Sequence, residues 1–497
     1  MTDQQIQSEL QGAAKDLHAA SVIVSSLAER EVEKLFLKLL PKSPFRNKAF
    51  AVGGYVRDDV LGIDSKDLDV VVGMRGGAEK LTKWLHNQFP QETSNPHQLG
   101  AGYPIWQITF KKDLLYNGDE YRTKGAVIEF ADSQKEAFPD PNTRQRVTEP
   151  GTLEDDVERR DFTVNMLMRD MTNGELKDLT GTSVRDIEKG ILRGHPGVDF
   201  NKILRDDPLR MLRLVRFQAK YGWKIPMDVL RTVKANASRI QIVSGERIRD
   251  ELIKLMKIGK LHQGIRMMKA VGLLPYVFPE IEAMRGVEHD TTRGHHLEGD
   301  VFKHTLLVLK NAKPGIENQL AALLHDVGKP DTQKILEDKI QFLGHENVGA
   351  EIAEAVMRRL KFESKVVAKV KKMVENHMRP HVLSKAGPKA LRKFIRDVGD
   401  ELVDAIMDLA EADQLGNLPP KNLIPELREK IKDTQQIPVV DKPILNGKEI
   451  MDLLGIRSGP GIGIAMDFLR EKSDEYATLG KILDVDTAKR LLLEEYA

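Results

Sequence analysis

Two closely spaced aspartates follow a pair of glycines in the first part of the chain. The segment Gly53–Asp58 reads GGYVRD, and Asp67 and Asp69 come shortly after it. Residues i and i+2 of a strand point to the same side, so the two carboxylates would lie together at a strand start. They would repel each other unless a hard cation lay between them, and Mg²⁺ binds few protein ligands together with phosphate oxygens. The spacing therefore predicts a Mg²⁺ site for a nucleoside triphosphate, where an attacking hydroxyl is activated and pyrophosphate leaves.

The residues around this pair suit phosphate binding. Gly53 and Gly54 allow backbone N–H groups to approach a triphosphate, and Arg57 can neutralise phosphate charge with two hydrogen bonds. For the aspartates alone, a solvated acidic strand end is the competing interpretation, but the combination with GGYVRD favours a site. Glu129, near the end of an apolar segment, is a third candidate carboxylate, with an exposed strand-end glutamate as the alternative.

Histidines are concentrated in the second half of the chain, where eight of the 13 fall between residues 289 and 381. His304 and the adjacent pair His325 and Asp326 lie in apolar segments of helical pattern, and Asp413 lies in another. A buried aspartate without a partner is costly, so the pair is best explained by a metal ion. Ligands of this kind spread over several helices suit a divalent transition metal, which would activate water against a phosphoester.

Further histidines accompany these four. His345 and His377 are candidate additional ligands of the same metal site. His295, His296 and His381 are candidate substrate contacts or additional ligands. For any one histidine taken singly, an exposed or hydrogen-bonded side chain is the simpler explanation.

The elements that must position these residues change in type along the chain. Residues 1–45 have helical periodicity, and strands are predicted around Gly53, Asp69 and Glu129 and over residues 106–110. Residues 111–125 predict a hairpin or an insert, and the polar, proline-containing stretch 133–152 predicts a mobile loop. Strand signals nearly vanish after residue 190, so the fold class is predicted to be α+β.

Composition sets limits on function. Hydrophobic residues make up 41% and charged residues 30% of the 497, which is typical of a soluble globular protein. Lys and Arg (76) nearly balance Asp and Glu (75), so any RNA contact must come from local basic patches. The lack of cysteine excludes disulfides, thiol catalysis and Cys-ligated zinc. A polar first segment and no long apolar run predict a cytoplasmic enzyme with no membrane partner.

Four motifs in order resemble those of the class II CCA-adding tRNA nucleotidyltransferase and bacterial poly(A) polymerase family. Gly53–Asp69 resembles its catalytic motif, and Glu158–Asn165 (ERRDFTVN) resembles its RRDFTxN motif. Asp206–Arg213 (DDPLRMLR) resembles its EDPxRxLR motif, although the family usually has Glu first, and Glu246–Glu251 (ERIRDE) resembles its ERIRxE neck motif. The strand with Glu129 lacks the Arg that often follows in the family, and the first 45 residues have no recognised counterpart.

The resemblance implies residue roles. Arg160, Asp161 and Asn165 would contact the sugar and phosphates of the nucleotide, and Asp207 and Arg210 would act as a protein template for its base. On one helix face at i and i+3, this carboxylate and guanidinium would match the amine and ring nitrogen shared by cytosine and adenine. Uracil and guanine present a carbonyl instead and would leave a charged group unpaired. A surface salt bridge is the plain alternative, and Arg213 continues the same face towards the nucleotide or the RNA.

The histidine pattern resembles the HD phosphohydrolase superfamily, and some CCA-adding enzymes carry such a domain. The resemblance implies phosphatase and 2′,3′-cyclic phosphodiesterase activity for RNA 3′-end repair, with Ni²⁺, Mn²⁺, Co²⁺ or Fe²⁺ as the metal. Near the end of the chain, Gly447–Glu449 and Gly459–Gly463 resemble the C-terminal segment of CCA-adding enzymes. The glycines there can offer N–H groups to a tRNA phosphate or simply form a turn between helices.

These observations predict a nucleotidyltransferase-fold head with a small mixed sheet, followed by a helical neck, an HD domain and a tail. The predicted bounds are 1–45 for a helical extension, 46–190 for the head, 191–289 for the neck, 290–416 for the HD domain and 417–497 for a tRNA-binding tail. The expected activity is Mg²⁺-dependent addition of CCA to tRNA from CTP and ATP. Addition of only CC or only A, poly(A) synthesis, and an HD phosphohydrolase with a non-catalytic nucleotide-binding head remain alternatives.

Overall fold

The chain folds into two compact units, Met1–Val243 and Ser244–Ala497. The structure, a computed structural model, describes residues 27–65, 67–99, 105–137, 147–289, 297, 299–336, 339–435 and 444–496. The predicted extension falls partly outside these residues. Its described part forms helix α1 over residues 27–39, followed by a 3₁₀ turn at Leu40–Lys42.

Unit 1 contains a mixed sheet, as the sequence predicted. Its strands and the two hairpins beside it are β1 (Ala49–Val52), β2 (Asp69–Val72), β3 (His97–Leu99), β4 (Ile105–Thr109), β5 (Leu114–Tyr116), β6 (Asp119–Tyr121), β7 (Val127–Asp132), β8 (Gln134–Ala137), β9 (Val147–Pro150), β10 (Met168–Asp170) and β11 (Leu176–Lys177). Among the described residues the sheet order is β11-β10-β1-β2-β7-β4-β3, in which β2 and β7 run parallel and the other neighbours antiparallel.

Some helices of unit 1, such as α3 (Gly77–Gln88), pack against the sheet, and others follow its last strand in the chain. They are α2 (Gly54–Val60), α3 (Gly77–Gln88), α4 (Leu153–Glu158), α5 (Ser183–Lys189), α6 (Phe200–Asp206), α7 (Leu209–Tyr221) and α8 (Met227–Asn236), with 3₁₀ turns at Thr163–Asn165 and Ala237–Ile242. Helix α7 buries apolar residues at three- and four-residue spacing and ends at Gly222, whose φ of 70° suits a residue without a Cβ.

The described residues of unit 2 form helices and one hairpin of β12 (Lys334–Leu336) with β13 (Lys339–Gln341). Its helices are α9 (Gly245–Lys257), α10 (Leu261–Ala270), α11 (Leu274–Val277), α12 (Pro279–Ala283), α13 (Val301–Asn311), α14 (Ile316–Leu324), α15 (Lys329–Thr332), α16 (His345–Arg359), α17 (Ser364–Asn376), α18 (Arg379–Leu383), α19 (Pro388–Val398), α20 (Asp400–Gly416), α21 (Ile424–Gln435), α22 (Gly447–Leu454), α23 (Pro460–Thr478) and α24 (Val485–Tyr496).

Of two local predictions for unit 1, one is confirmed and the other is partly wrong. The predicted hairpin at 111–125 is confirmed, because β5 and β6 pair through a turn at Asn117 and Gly118, both with positive φ. The predicted mobile loop at 133–152 is wrong at its ends, where β8 and β9 pair along their whole length. These strands are polar and are held by backbone hydrogen bonds, so their sequence carries no apolar alternation. Residues 138–146 lie outside the described part of the chain.

One buried ion-pair cluster ties the last helices to the rest of unit 2. Asp474 on α23 is 6% exposed, and its carboxylate accepts hydrogen bonds from Arg392, at 3.0 Å, and from Arg396. Arg392 is itself 4% exposed, so its charge relies on protein partners rather than on water. Removal of one member of such a pair leaves the other charge buried, which is the costly case.

We predict that Asp474→Ala lowers the free energy of unfolding of unit 2 by about 3 kcal/mol, measured by chemical denaturation. Asp467→Ala is the matched control on the same helix, because Asp467 pairs with Arg470 at a side-chain exposure of 73%. That control should cost less than about 1 kcal/mol. Equal losses in the two variants would contradict the prediction.

Candidate functional sites

The glycine turn between β1 and α2 faces one of the predicted nucleotide-binding residues. Gly53 has a φ of 72°, a conformation that favours glycine. A Cβ atom on Gly53 would lie 3.8 Å from Nη1 of Arg160. The turn and Arg160 therefore lie together, as expected of groups that bind one nucleotide.

The sheet places two of the three candidate carboxylates of the head side by side, whereas Asp67 lies two residues before β2 and outside the strand predicted for it. Asp69 is the first residue of β2 and lies directly opposite Glu129 on β7, so the two side chains share a face. Withdrawal of its carboxyl group from water raises the pKa of Asp69 to about 6, and the charges of Glu129 and Asp67 act in the same direction. Arg160 opposes this shift. Such a concentration of negative charge fits a divalent cation, which would neutralise it.

The side chain of Arg57 forms hydrogen bonds and aromatic-ring contacts with other residues of the chain. It is 5% exposed, its Nε donates to Asp58 Oδ1 at 2.8 Å, and its Nη1 donates to Asn165 Oδ1 at 2.6 Å. Its guanidinium also lies 5.1 Å from the ring centre of Phe217 and 5.3 Å from that of Tyr221. In this structure Arg57 thus joins α2 to the RRDFTxN segment and to α7, and its contact with phosphate stays a prediction.

Asn165 continues this chain of buried polar groups. Its Nδ2 donates to Asp161 Oδ1 at 2.9 Å, and Arg213 Nε donates to Asp161 Oδ2 at 2.6 Å. Burial alone would raise the pKa of Asp161, but the charge of Arg213 and the hydrogen bond from Asn165 lower it to about 2. The ionised Asp161 therefore orients Arg213, and the chain links α2, the 3₁₀ turn at 163–165 and α7.

Asp156 orients the arginine pair and is a residue that sequence reasoning missed. It is fully buried, and its Oδ1 accepts from Arg159 Nε at 2.9 Å while its Oδ2 accepts from Arg160 Nη2 at 2.8 Å. Arg159 also reaches Glu136 on β8 at 2.6 Å. The available signal was the spacing, because an acidic residue three and four positions before two arginines lies on their side of a helix.

The template pair does not have the geometry expected of it. Asp207 lies outside a helix, as the residue that follows α6, with φ −139° and ψ 94°. The expectation of an i,i+3 pair on one helix is therefore wrong, because Pro208 disfavours helical backbone at the residue before it. Arg210, the second residue of α7, donates to the carbonyl oxygens of Ile203 at 2.8 Å and Arg159 at 2.6 Å. These bonds orient the guanidinium, and base selection by the pair stays a prediction.

Unit 2 brings all four predicted ligands of the HD site together in its core. His304, His325, Asp326 and Asp413 are each at most 7% exposed. His304 Nε2 lies 2.8 Å from Asp413 Oδ1, and His325 Nε2 lies 3.1 Å from Asp326 Oδ2. The ligand atoms of His304, His325 and Asp326 all lie within 4.8 Å of one another.

A second ligand group shares Asp326. His345 Nε2 lies 3.3 Å from Asp326 Oδ1 and 3.3 Å from His377 Nε2. Asp326, His345 and His377 also offer ligand atoms within 4.8 Å of one another. The two oxygens of Asp326 thus face two groups of histidines, so its carboxylate would belong to both groups of candidate ligands.

Hydrogen bonds fix these histidines in the form that binds a metal. The Nδ1 atoms of His325, His345 and His377 lie 3.0, 2.8 and 2.6 Å from carbonyl oxygens three residues earlier. A carbonyl can only accept, so Nδ1 is the donor in each contact, and in the neutral ring Nε2 is the nitrogen available to a metal. Burial of the ring lowers the pKa of His377 to about 3, which keeps that ring neutral. The residues therefore fit divalent metal ions.

The sequence did not predict Lys329 and His289 near this centre, and it predicted His381 only as a substrate contact or additional ligand. Lys329 Nζ lies 2.7 Å from Asp326 Oδ2, and His381 Nε2 lies 2.9 Å from Asp413 Oδ2. The ring of His289, which sequence reasoning did not select, lies 5.4 Å from that of His304. Lys329 was detectable as the cation three residues after the His-Asp pair. His295 and His296 lie outside the described residues.

Comparison with protein families gives three matches along the chain. Residues 49–193 match the family described as Poly A polymerase head domain. Residues 222–285 match the family described as Probable RNA and SrmB-binding site of polymerase A. Residues 301–417 match the HD domain. Nucleotidyltransferase and HD domains generally bind divalent metals, which agrees with the two acidic and histidine-rich centres.

Two curated proteins are similar over most of their length. The CC-adding tRNA nucleotidyltransferase of Thermus thermophilus is 32% identical over 69% of this chain and 77% of its own. The A-adding tRNA nucleotidyltransferase of Deinococcus radiodurans is 30% identical over 88% of this chain and 94% of its own.

A solved structure shares the fold at lower identity. The Bacillus stearothermophilus CCA-adding enzyme in complex with CTP has a TM-score of 0.61 at 20% identity, with 94% of this chain and 97% of that chain covered. Within the part of the chain that the structure describes, no helix combines the length and apolar character needed to cross a membrane.

We predict that Asn165→Ala destabilises unit 1 by about 2 kcal/mol, because it removes one partner each of the buried Arg57 and Asp161. Urea denaturation would measure the loss. Asn173→Ala serves as the control, since Asn173 forms an exposed hydrogen bond to Glu175. A loss at Asn165 no greater than at Asn173 would contradict the proposed chain of polar groups.

Proposed function

Because the chain belongs to the tRNA nucleotidyltransferase/poly(A) polymerase family, we propose that it adds CCA to the 3′ end of tRNA from CTP and ATP without a nucleic-acid template. The main observation behind this proposal is the register of the sheet, which places Asp69 directly opposite Glu129. The charge of Asp67 also acts on Asp69, so the three carboxylates could share one cation. The relatives with tRNA nucleotidyltransferase names support tRNA as the acceptor.

Mg²⁺ is the cation proposed for the head. Asp67 and Asp69 would hold it, with Glu129 as the third carboxylate. When bound, Mg²⁺ would favour attack of the tRNA 3′-hydroxyl on the α-phosphate and stabilise the departing pyrophosphate. Backbone N–H groups of Gly53 and Gly54 would contact the triphosphate.

The protein's own cations and amides would hold the rest of the nucleotide. Arg160 would contact phosphate from its place beside the glycine turn, while Asp161 and Asn165 would keep Arg213 and Arg57 oriented. Asp207 and Arg210 would accept from and donate to the amine and ring nitrogen that cytosine and adenine share. Uridine and guanosine triphosphates would leave one of these charged groups unpaired and be rejected.

Addition of only part of the CCA sequence is the second candidate. The printed names of the two curated relatives are CC-adding and A-adding, which favours this alternative over poly(A) synthesis. The partial activities share the carboxylates and the template pair, so only the products distinguish them. The predicted domain bounds, the tRNA-binding role of the tail and a cytoplasmic location belong to the same proposal.

We propose that the HD centre hydrolyses terminal and 2′,3′-cyclic phosphates at RNA 3′ ends with a divalent transition metal (Ni²⁺, Mn²⁺, Co²⁺ or Fe²⁺). His304, His325, Asp326 and Asp413 would hold one ion, and Asp326, His345 and His377 a second. When bound, such ions would activate water and neutralise phosphate charge. Lys329 would orient Asp326 through its contact at 2.7 Å.

The head activity is tested with three tRNAs that end before CCA, after C and after CC, each offered CTP, ATP, both, UTP or GTP with Mg²⁺. Full CCA addition predicts that all three are completed and then stop. Extension that halts after CC, or that starts only from the CC end, would identify a partial activity. A long A tail from ATP alone would indicate poly(A) polymerase. Asp67→Ala/Asp69→Ala should abolish every product, since it removes the cation ligands.

The HD centre is tested by metal content after equilibration with Mn²⁺ or Ni²⁺ and gel filtration, in the Asp67→Ala/Asp69→Ala background that removes the head site. We expect about two ions per chain, about one after His345→Ala/His377→Ala, and none after Asp326→Ala. His97→Ala, at an exposed strand residue of the head, is the control. A stoichiometry that never exceeds one would contradict the second ion.

A further inference from the structure

Helix α1 is bonded to the first turn of α2 through a buried tyrosine. Tyr55 directly follows the Gly53–Gly54 turn and is 3% exposed. Its hydroxyl donates to Glu33 Oε2 on α1 at 2.6 Å. Burial and the charge of Glu33 raise the pKa of Tyr55, so the hydroxyl keeps its proton and acts as the donor.

Arg169 completes a link to the other end of the same helix. Its Nη1 donates to Glu33 Oε1 at 3.0 Å, and its Nη2 bonds to Asp59 in the last turn of α2. The side chains of Glu33 and Arg169 are 13% and 16% exposed. Arg169 lies on β10, opposite Ala51 of β1, so its position is set by the sheet. Both ends of α2 are thereby tied to one carboxylate and one guanidinium.

This link contributes to the position of α2, because a helix of this length is not stable on its own. It has seven residues, whereas isolated helices shorter than about 12 residues are marginal in water. Helix α1 is firmly placed by contrast, since Val32, Leu35 and Phe36 are fully buried and the ring centre of Phe36 lies 6.3 Å from that of Phe130 on β7. The contact of Tyr55 with α1 therefore adds a second anchor to α2, beside the contacts of Arg57 with Asn165 and α7, and this anchor lies in the first turn of α2, next to the glycine turn.

We propose that Glu33 is a positioning residue for the nucleotide, which acts through Tyr55 to fix the Gly53–Gly54 turn in the conformation that receives the triphosphate. The proposal rests on the nucleotidyltransferase function given above. It assigns a role to helix α1, which lies outside the four motifs that carry the family resemblance.

The physical reason is preorganisation. Glycines have more backbone freedom than other residues, so a turn built on two of them loses more entropy when it is ordered by a ligand. Bonds that order the turn before the nucleotide arrives remove that cost from binding. The carboxylates Asp69 and Glu129 are placed by the sheet ladder between β2 and β7, so their geometry does not depend on Tyr55. Loss of the link should therefore weaken nucleotide binding and leave the chemical step largely intact.

The test compares Tyr55→Phe, Glu33→Ala and Glu33→Gln in the full chain, with steady-state kinetics for CTP and ATP on truncated tRNA. Tyr55→Phe keeps the ring and removes the hydroxyl, so we expect the KM of the nucleotide to rise about tenfold with kcat within about twofold. Glu33→Ala should match or exceed this rise. Glu33→Gln can still accept from Tyr55 and should restore much of the affinity.

Glu31→Gln is the matched control, because Glu31 loses the same charge on the same helix but pairs with Lys34 at 2.6 Å. Its KM should stay within about twofold of the wild type. Unchanged KM in Tyr55→Phe and Glu33→Ala would overturn the inference, and so would a joint fall of kcat and melting temperature, which indicates a merely structural role. A wild-type protein that incorporates no nucleotide would instead overturn the proposed function and this inference with it.

Discussion

The parallel pairing of β2 with β7 is the constraint on which the head depends. It sets the first carboxylate of one strand beside a carboxylate of the next, with Asp67 two residues away. Neighbouring carboxylates repel each other when ionised, so a cation bound between them would stabilise their charged form. Arg160 supplies part of the compensation, and its own position is fixed by the buried Asp156.

The same principle governs the histidine centre of unit 2, with a different means of holding the ligands. There, carbonyl oxygens three residues earlier orient the rings of His325, His345 and His377, and their Nε2 atoms lie around the carboxylate of Asp326. Ligands oriented before a metal binds need little reorganisation, which is the usual function of such supporting hydrogen bonds. Each unit thus carries a charge cluster whose geometry is set by backbone structure.

Local patterns in the sequence predicted most of the residues that the structure brings together in the two candidate sites. The strand positions of Asp69 and Glu129 and the apolar helices around His325 follow from periodicity, and the structure places these groups as expected. Some residues that escaped prediction, such as Asp156, had a local signal in their spacing, whereas others depend on contacts between distant segments. Glu33 and Tyr55 lie 22 residues apart, and nothing in either segment indicates the other. The pairing of β8 with β9 also escaped prediction, because it depends on backbone hydrogen bonds and the polar side chains of these strands show no apolar alternation.

For the template pair, Asp207 and Arg210, the sequence predicted the residue types but not the backbone geometry. Its residue types were recognisable, but the helical spacing assumed for Asp207 ignored the proline that follows it, which removes that residue from the helix. The supporting bonds of Arg210 come from carbonyl groups of Ile203 and Arg159, which any residue type could supply. Motif recognition therefore identifies which side chains act, whereas their orientation has to be read from the fold.

Anomalous diffraction from crystals grown with CTP and Mn²⁺ would test the central claim most directly. The account predicts a Mn²⁺ peak coordinated by Asp67 and Asp69, next to the triphosphate, with the glycine turn at Gly53–Gly54 against the phosphates. The peak should disappear in Asp67→Ala/Asp69→Ala while the histidine centre of unit 2 keeps its metal. A nucleotide bound without metal at these carboxylates, or a metal held elsewhere in the head, would contradict the account.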